Sequence, residues 1–253
     1  MLPRTPSYRL DGKRAVVIGG SRGIGLGCAV ALAEQGASVV IVARSKGQVF
    51  ETVNEMKSEG FSVSGAPMDV RIIDNVKNLM GEYSDIDILV NSAGIARHTP
   101  TVDTTELDFD DVMSVNVRSA YFLAQSAAKQ MISKGTGGSI IQISSQMAHV
   151  GGIDRAVYCG TKHAIEGINK SMAIEFGPYK IRVNSICPTF IRTPFTEPTF
   201  KDPEKVKWIE SKIKVGRVGE VEDIMGAVKF LASDVSAMVT GSSILIDGGW
   251  TAG

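Results

Sequence analysis

Short apolar runs recur along the chain, separated by longer stretches in which apolar residues return every three or four positions. The runs 15–18, 38–42, 86–90, 139–143, 181–186 and 243–246 are rich in Val and Ile and bounded by Gly, Asp or Asn. Continuous apolar runs of this length predict strands buried on both faces. A weaker run, 61–68, predicts one more. The stretches 24–35, 48–58, 72–83, 109–133, 161–176 and 221–232 carry helical periodicity. Gly36, Gly60 and Gly177 each follow such a stretch, as helix-ending glycines do. Strand alternating with helix predicts an α/β fold: about seven parallel strands, right-handed crossovers, and helices on both faces. No repeat, low-complexity tract or linker divides the chain, so 1–253 is expected to form a single domain. Segment 188–215, with prolines at 188, 194, 198 and 203, is long for a loop. It is expected to be a substrate lid carrying short helices of its own.

Composition narrows the function classes. The chain of 253 residues has 27 Lys+Arg against 27 Asp+Glu, with 43% hydrophobic and 21% charged residues, the profile of a soluble globular protein. The balance argues against a nucleic-acid partner; Lys205, Lys207, Lys212 and Lys214 make only short basic clusters. No apolar run approaches the ~18–20 residues that span a bilayer, and residues 1–14 contain no apolar signal core. No membrane partner and a cytoplasmic location are therefore expected. Cys28, Cys159 and Cys187 include no close pair, so neither a disulfide framework nor a zinc knuckle is indicated. His98, His149 and His163 show no metal-ligand spacing, and no metal is expected.

Glycine is abundant, 27 of 253 residues, and its placement carries the chemistry. The first strand runs into Gly19-Gly20-Ser21-Arg22-Gly23-Ile24-Gly25 and then a helix. A glycine-rich turn there lets the backbone approach a pyrophosphate, and the helix N-terminus adds N–H donors and a positive dipole end. The spacing G-x-x-x-G-x-G is a variant of the dinucleotide fingerprint. It points to a Rossmann-like, doubly wound fold, with 1–253 expected to be a single dinucleotide-binding and, given the residues below, catalytic domain. The second strand ends in Ala43-Arg44-Ser45, without the acid that binds the ribose diol in NAD-specific proteins of this architecture. Arg44 and Arg22 could instead grip a 2′-phosphate, so NADP(H) is expected in preference to NAD(H).

Further landmarks follow in order: Asp69-Val70, Asn91-Ser92-Ala93-Gly94, Asn116, Ser145, Tyr158-x-x-x-Lys162, Pro188 and Thr193. With the glycine loop, and over residues 10–249, they resemble the short-chain dehydrogenase/reductase family in its single-domain form of about 250 residues. The likeness includes 3-oxoacyl-acyl-carrier-protein reductase-like and gluconate 5-dehydrogenase-like members. It implies an NADP-dependent oxidoreductase that interconverts a ketone or aldehyde and an alcohol by hydride transfer. The implied catalytic set is Asn116, Ser145, Tyr158 and Lys162. Tyr158 would be the acid/base, its pKa lowered by the Lys162 ammonium. Ser145 would hydrogen-bond the carbonyl oxygen, Lys162 would also bind the nicotinamide ribose, and Asn116 would hold a proton-relay water. The implied cofactor residues are Gly19, Ser21, Arg22, Gly23, Ile24, Gly25, Arg44, Ser45, Asp69 and Val70, then Asn91, Ala93, Gly94, Tyr158, Lys162, Pro188, Ile191 and Thr193. Asp69 resembles the family's adenine contact, Asn91, Ala93 and Gly94 would run under the adenosine ribose, and Thr193 would bind the carboxamide or pyrophosphate. The chain departs from the family at Thr189, where Gly is frequent, and at Ile18, where Thr is frequent. A homotetramer, or a dimer, is also implied, formed through the helices 109–133 and 161–176. Ala164, Ile165, Gly167, Ile168, Met172 and Ala173 exceed one core-facing stripe, and 246–250 could add a second contact.

Several neighbours are decoys. Ser144 would point to the opposite side from Ser145, and Cys159 reads as a packing thiol. A non-catalytic NADP(H)-binding redox sensor would keep the glycine loop without needing the four catalytic side chains. Substrate candidates are Arg97, Gln146, Met147, Arg155, Phe190, Phe195 and Trp208, with His98 and His149 nearby. A guanidinium suits a carboxylate or phosphate, whereas lid aromatics suit an apolar group. A sugar-acid or polyol ketone, a 3-oxoacyl thioester and a bulky ketone all remain open for this small-molecule carbonyl/alcohol substrate.

Overall fold

A computed structural model describes residues 2–253. Seven strands form one sheet: β1 (Arg14–Ile18), β2 (Ser38–Ala43), β3 (Val63–Pro67), β4 (Ile88–Asn91), β5 (Gly138–Ile143), β6 (Ile181–Pro188) and β7 (Ser243–Ile246). Their order is β3-β2-β1-β4-β5-β6-β7, and every pair is parallel. The order reverses between β1 and β4, where Ile18 lies in register with Val42 on one side and Asn91 on the other. Connections leave that point in opposite directions, which opens a crevice beyond the carboxyl ends of these strands.

Alternation along the strands divides the core in two. Ala15, Val17, Val39 and Ile41 pack with residues of α1 (Gly23–Glu34), α2 (Lys46–Ser58) and the last long helix. Val16, Ile18, Val40 and Val42 face α3 (Ile73–Glu82) and two later helices on the opposite side. Gly27 permits close packing of α1, since a Cβ there would collide with Val221. Among the described residues no helix is long and apolar enough to cross a membrane.

The helix expected at 109–133 is longer and bulged. It comprises α4 (Glu106–Met113), a π-helical turn Ser114–Arg118, and α5 (Ser119–Lys134). The helix expected from Thr161 begins earlier, as α6 (Ala156–Phe176); Gly160 had interrupted the apolar pattern. Gly177 does not end it in the left-handed manner of Gly36 and Gly60. Its φ is −51°, and Lys180 takes the left-handed position (φ 59°) after the turn Gly177–Tyr179. In the lid segment the structure contains α7 (Glu197–Phe200) and α8 (Pro203–Lys212), the latter capped by the Asp202 carboxylate. Ile209, Ile213 and Val218 form a small core there with Phe190, Phe200 and Trp250. Helix α9 (Glu222–Ala232) then leads to β7.

Candidate active site

A cavity of about 680 Å³ begins at the glycine loop, crosses the carboxyl ends of β1, β4 and β5, and ends beneath the lid. Gly19 (φ 76°) and Gly23 (φ 54°) supply the left-handed conformations of the loop. Gly25 lies behind it, where a Cβ would collide with the Gly19 carbonyl oxygen. Thr52 braces the loop by donating to the Ser21 carbonyl at 3.1 Å. No side chain caps α1 and no acidic residue occupies its first turn. Its leading amides are thus left for an anion.

At one end of the cavity lie Arg22, Ala43, Arg44, Ser45, Asp69, Val70 and Arg71. Arg22 and Arg44 form no ion pair among the described residues. Ser45 caps α2, accepting from Gln48 N at 3.4 Å. Asp69 is engaged by Arg71 at 2.7 Å, a contact that holds its carboxyl below the ordinary range. Arg71 itself was missed by sequence reasoning; its spacing of two from Asp69 was the available signal.

At the other end, β5 delivers Ser145 and α6 delivers Tyr158 and Lys162. The Ser145 hydroxyl accepts from Met147 N at 3.1 Å and lies close enough to Tyr158 to lower its pKa. Lys162 donates to the Ile143 carbonyl at 3.0 Å, with Nζ 5.6 Å from the Tyr158 ring centroid. Burial drives the Lys162 pKa down to about 8, partly opposed by Cys187 and the Glu166 carboxylate. Burial also raises the Tyr158 pKa; Ser145 and the Arg155 charge pull it down without reversing the shift. The ammonium is directed to a carbonyl rather than the phenol, and it is itself desolvated.

Four other candidate residues do not line the cavity. Asn116 sits in the π turn, buried, and does not line the cavity. Its Oδ1 accepts from Ile95 N at 2.9 Å, and Nδ2 donates to Ile95 O at 2.9 Å and Thr161 Oγ1 at 3.2 Å. The side chain is a clamp between β4's exit and α6 rather than a free water holder. Asn91 is likewise buried beneath the cavity floor, donating to Gln142 at 2.8 Å and accepting from Ala93 N at 3.2 Å. It shapes the turn through Ala93 and Gly94, which do line the cavity. Arg97 lies off the cavity, paired with Asp108 at 3.4 Å and Asp111 at 3.0 Å on α4. Trp208 is half-exposed on the lid against Trp250, ring centroids 5.5 Å apart.

Gly19, Ser21, Arg22, Gly23, Ile24, Pro188, Ile191 and Thr193 line the cavity as expected, as do Gln146, Met147, Arg155, Phe190 and Phe195. Ile18 also lines it, and Thr189 contributes a buried hydroxyl without a partner. Ser144 lines the cavity too, and its buried hydroxyl has no hydrogen-bond partner. Cys159 is buried, its thiol pKa raised by burial. His149, Glu166 and Cys187 bring donor atoms within 4.8 Å of one another, a convergence that spacing did not reveal. Glu166 is already engaged by the hydroxyls of Ser185 and Ser243, and burial pushes the Cys187 thiol up to about 12. This trio therefore reads as packing of α6 against β6 and β7.

A doubly wound sheet with a phosphate loop at its switch point, and a Ser–Tyr–Lys group beyond β5, defines a dinucleotide-dependent oxidoreductase of the Rossmann type. Residues 18–251 match the family model described as enoyl-(acyl carrier protein) reductase. An L-xylulose reductase from Bos taurus is 37% identical, covering 96% of this chain and 98% of its own. The crystal structure of a gluconate 5-dehydrogenase from Burkholderia cenocepacia J2315, in complex with NADP and tartrate, superimposes with a TM-score of 0.94. It is 34% identical and covers 97% of this chain and 98% of its own. A short-chain type dehydrogenase/reductase from Mycobacterium marinum is 36% identical, with a TM-score of 0.92 and coverage of 97% and 98%. The chain belongs to the short-chain dehydrogenase/reductase family.

Proposed function

We propose that the chain is an NADP(H)-dependent oxidoreductase that interconverts a small polyhydroxylated ketone and its alcohol. The observation that carries this reading is the grouping of Ser145, Tyr158 and Lys162 on one wall of the cavity that starts at the glycine loop. The cofactor's chemistry fits the residues present: uncapped α1 amides for the pyrophosphate, and unpaired Arg22 and Arg44 for a 2′-phosphate. A nicotinamide held across the cavity would supply hydride to the carbonyl carbon. Ser145 holds the carbonyl oxygen by its hydroxyl, and Tyr158, kept protonated by burial, donates its proton to that oxygen. Lys162 binds the ribose hydroxyls and carries the positive charge that stabilises the resulting tyrosinate.

The relatives' names, an L-xylulose reductase and a gluconate 5-dehydrogenase, favour a sugar-sized substrate over a 3-oxoacyl thioester or a bulky ketone. A redox sensor would have no use for Ser145, Tyr158 and Lys162 grouped on one cavity. In this reading 1–253 acts as one cytoplasmic domain with 188–215 as its lid, assembled as a homotetramer or dimer.

The test is NADPH oxidation, followed at its absorbance band, across a panel of ketoses and oxo acids. Tyr158→Phe keeps the ring and removes the transferable proton. It should lower turnover by about 10²-fold or more while NADPH still binds. Turnover near wild type in this variant would refute the mechanism.

A further inference from the structure

Half of the twelve arginines of this chain are spent on acids. Arg9, Arg14, Arg71, Arg97, Arg192 and Arg217 all form ion pairs. Within the cavity, Arg22 and Arg44 are unpaired at the end assigned to the 2′-phosphate. Arg155 is unpaired at the opposite end, on the wall that holds Tyr158. Its neighbour Asp154 adopts a left-handed conformation (φ 58°) and forms no ion pair with it. Arg155 follows as the N-cap of α6, one turn before Tyr158.

We infer that Arg155 is the anchor of a carboxylate subsite and that the substrate is a small oxo acid. The inference rests on the proposed carbonyl chemistry and names the charge of its substrate. Three observations carry it. First, the guanidinium is held in place without being neutralised. Arg155 NH1 meets His98 Nε2 at 2.7 Å, and its centre lies 5.5 Å from the Phe190 ring centroid. The stem passes over Gly152, where a Cβ would stand 2.8 Å from Arg155 Cδ. An imidazole nitrogen that accepts from a guanidinium must be unprotonated, so the pair carries one positive charge. Burial and the Arg155 charge move the His98 pKa down to about 4, which keeps it neutral at physiological pH.

Second, uncommitted polar atoms lie on the same cavity. Gln146 is 1% exposed, and neither its Nε2 nor its Oε1 has a hydrogen-bond partner; the Thr189 hydroxyl also lacks one. Buried polar groups are rarely left unpaired unless a ligand or water completes them. Third, the location is reactive. The His98 ring is edge-on to the Tyr158 ring with centroids 6.1 Å apart, so an anion on Arg155 would lie near the carbonyl that Tyr158 protonates. One planar, singly charged fork matches a carboxylate; a phosphate carries more charge than this group neutralises.

The experiment uses the full chain with saturating NADPH. An oxo-aldonate is compared with the ketose that bears a hydroxymethyl group in place of its carboxylate. Wild type should favour the acid in kcat/KM by about tenfold or more, and Arg155→Gln should erase most of that ratio, chiefly through KM. NADPH binding by each variant reports that it has folded. A second readout needs no turnover: calorimetric titration of malonate into the NADP-loaded protein should show binding that Arg155→Gln loses. An unchanged acid-to-ketose ratio in Arg155→Gln would overturn the subsite. So would a wild-type preference for the neutral or a phosphorylated ketose, and the carbonyl reaction would then stand alone. If no ketone of either kind is reduced, the proposed function falls. The titration then decides the subsite by itself: binding lost in the variant supports it, and no binding to wild type overturns it.

Discussion

Lys162 and Glu166 follow Tyr158 at successive four-residue steps, so all three occupy one face of α6. Glu166 is buried and accepts from Ser185 Oγ at 2.7 Å, from Ser243 Oγ, and from the Cys187 thiol at 3.6 Å. Burial alone would push its carboxyl up, but these hydrogen bonds outweigh burial and bring it below the ordinary value. Lys162 therefore has an anion behind it and Tyr158 in front. Its folded pKa of about 8 means that the charge is present below pH 8 and lost above it. Reduction should hold up to about pH 8 and then decline. Glu166→Gln keeps the shape and removes the anion that raises Lys162, so the declining limb should move to lower pH. A pH–rate profile unmoved by this substitution would contradict the coupling. Stability should move the other way. The native state binds this proton more weakly than the unfolded chain, so the cost of burying the charged lysine is full below about pH 8. It is relieved as pH rises toward 10.5, the ordinary lysine value. Arg97 and Arg155 show why some of this was illegible in sequence. Arg97 lay just past an expected strand and Arg155 between Ser145 and Tyr158, but Asp108 and Asp111 on α4 capture the first, while the second forms no ion pair with an acid. Such pairings depend on residues brought together by the fold, whereas Tyr158 and Lys162 are joined by local helical spacing.

At the scale of elements, the strands were the most legible because burial on both faces leaves an uninterrupted apolar run. β3 was weaker because its residues VSGAP include small and polar positions. The π turn at Ser114–Arg118 was not read from the sequence, since no glycine or proline in SVNVR punctuates the helix there. It is nonetheless the feature that turns Asn116 inward as a clamp. The end of β2 is the element that carries coenzyme choice. Arg44 emerges there, one residue past the half-buried Ala43, and α2 starts within three residues. A carboxylate at this point would accept from ribose hydroxyls and repel a 2′-phosphate. Ala43→Asp should weaken NADPH binding by roughly 1.5–3 kcal/mol, on the order of tenfold or more, and strengthen NADH binding. Titrating both coenzymes into wild type and variant checks this. Equal affinities in wild type, or no swing in the variant, would remove the assigned role of Arg22 and Arg44.

At the scale of the whole molecule, association was expected from surplus apolar surface on α6, and part of that surface is covered within the chain itself. Ile165, Met172 and Ala173 are buried in the chain's own core. Trp250, expected at a second contact, packs on Phe190 and Trp208 of its own lid. What remains uncovered is a set of large side chains on the layer made by α4, α5 and α6: Leu107 and Ile174, each 79% exposed, with the half-exposed Phe109 and Tyr121. Covering each large apolar side chain contributes roughly 1.5–3 kcal/mol, and a symmetric pairing of this layer would cover every one of them twice. The expected outcome is a dimer or tetramer at micromolar concentration by light scattering. The double variant Leu107→Asp, Ile174→Asp should sediment as a smaller species, since both positions face solvent in the single chain and a charge there costs little unless a partner covers it. NADPH binding by that variant, measured alongside, separates loss of assembly from loss of fold. A wild-type chain that scatters as a monomer would leave this layer as ordinary exposed surface.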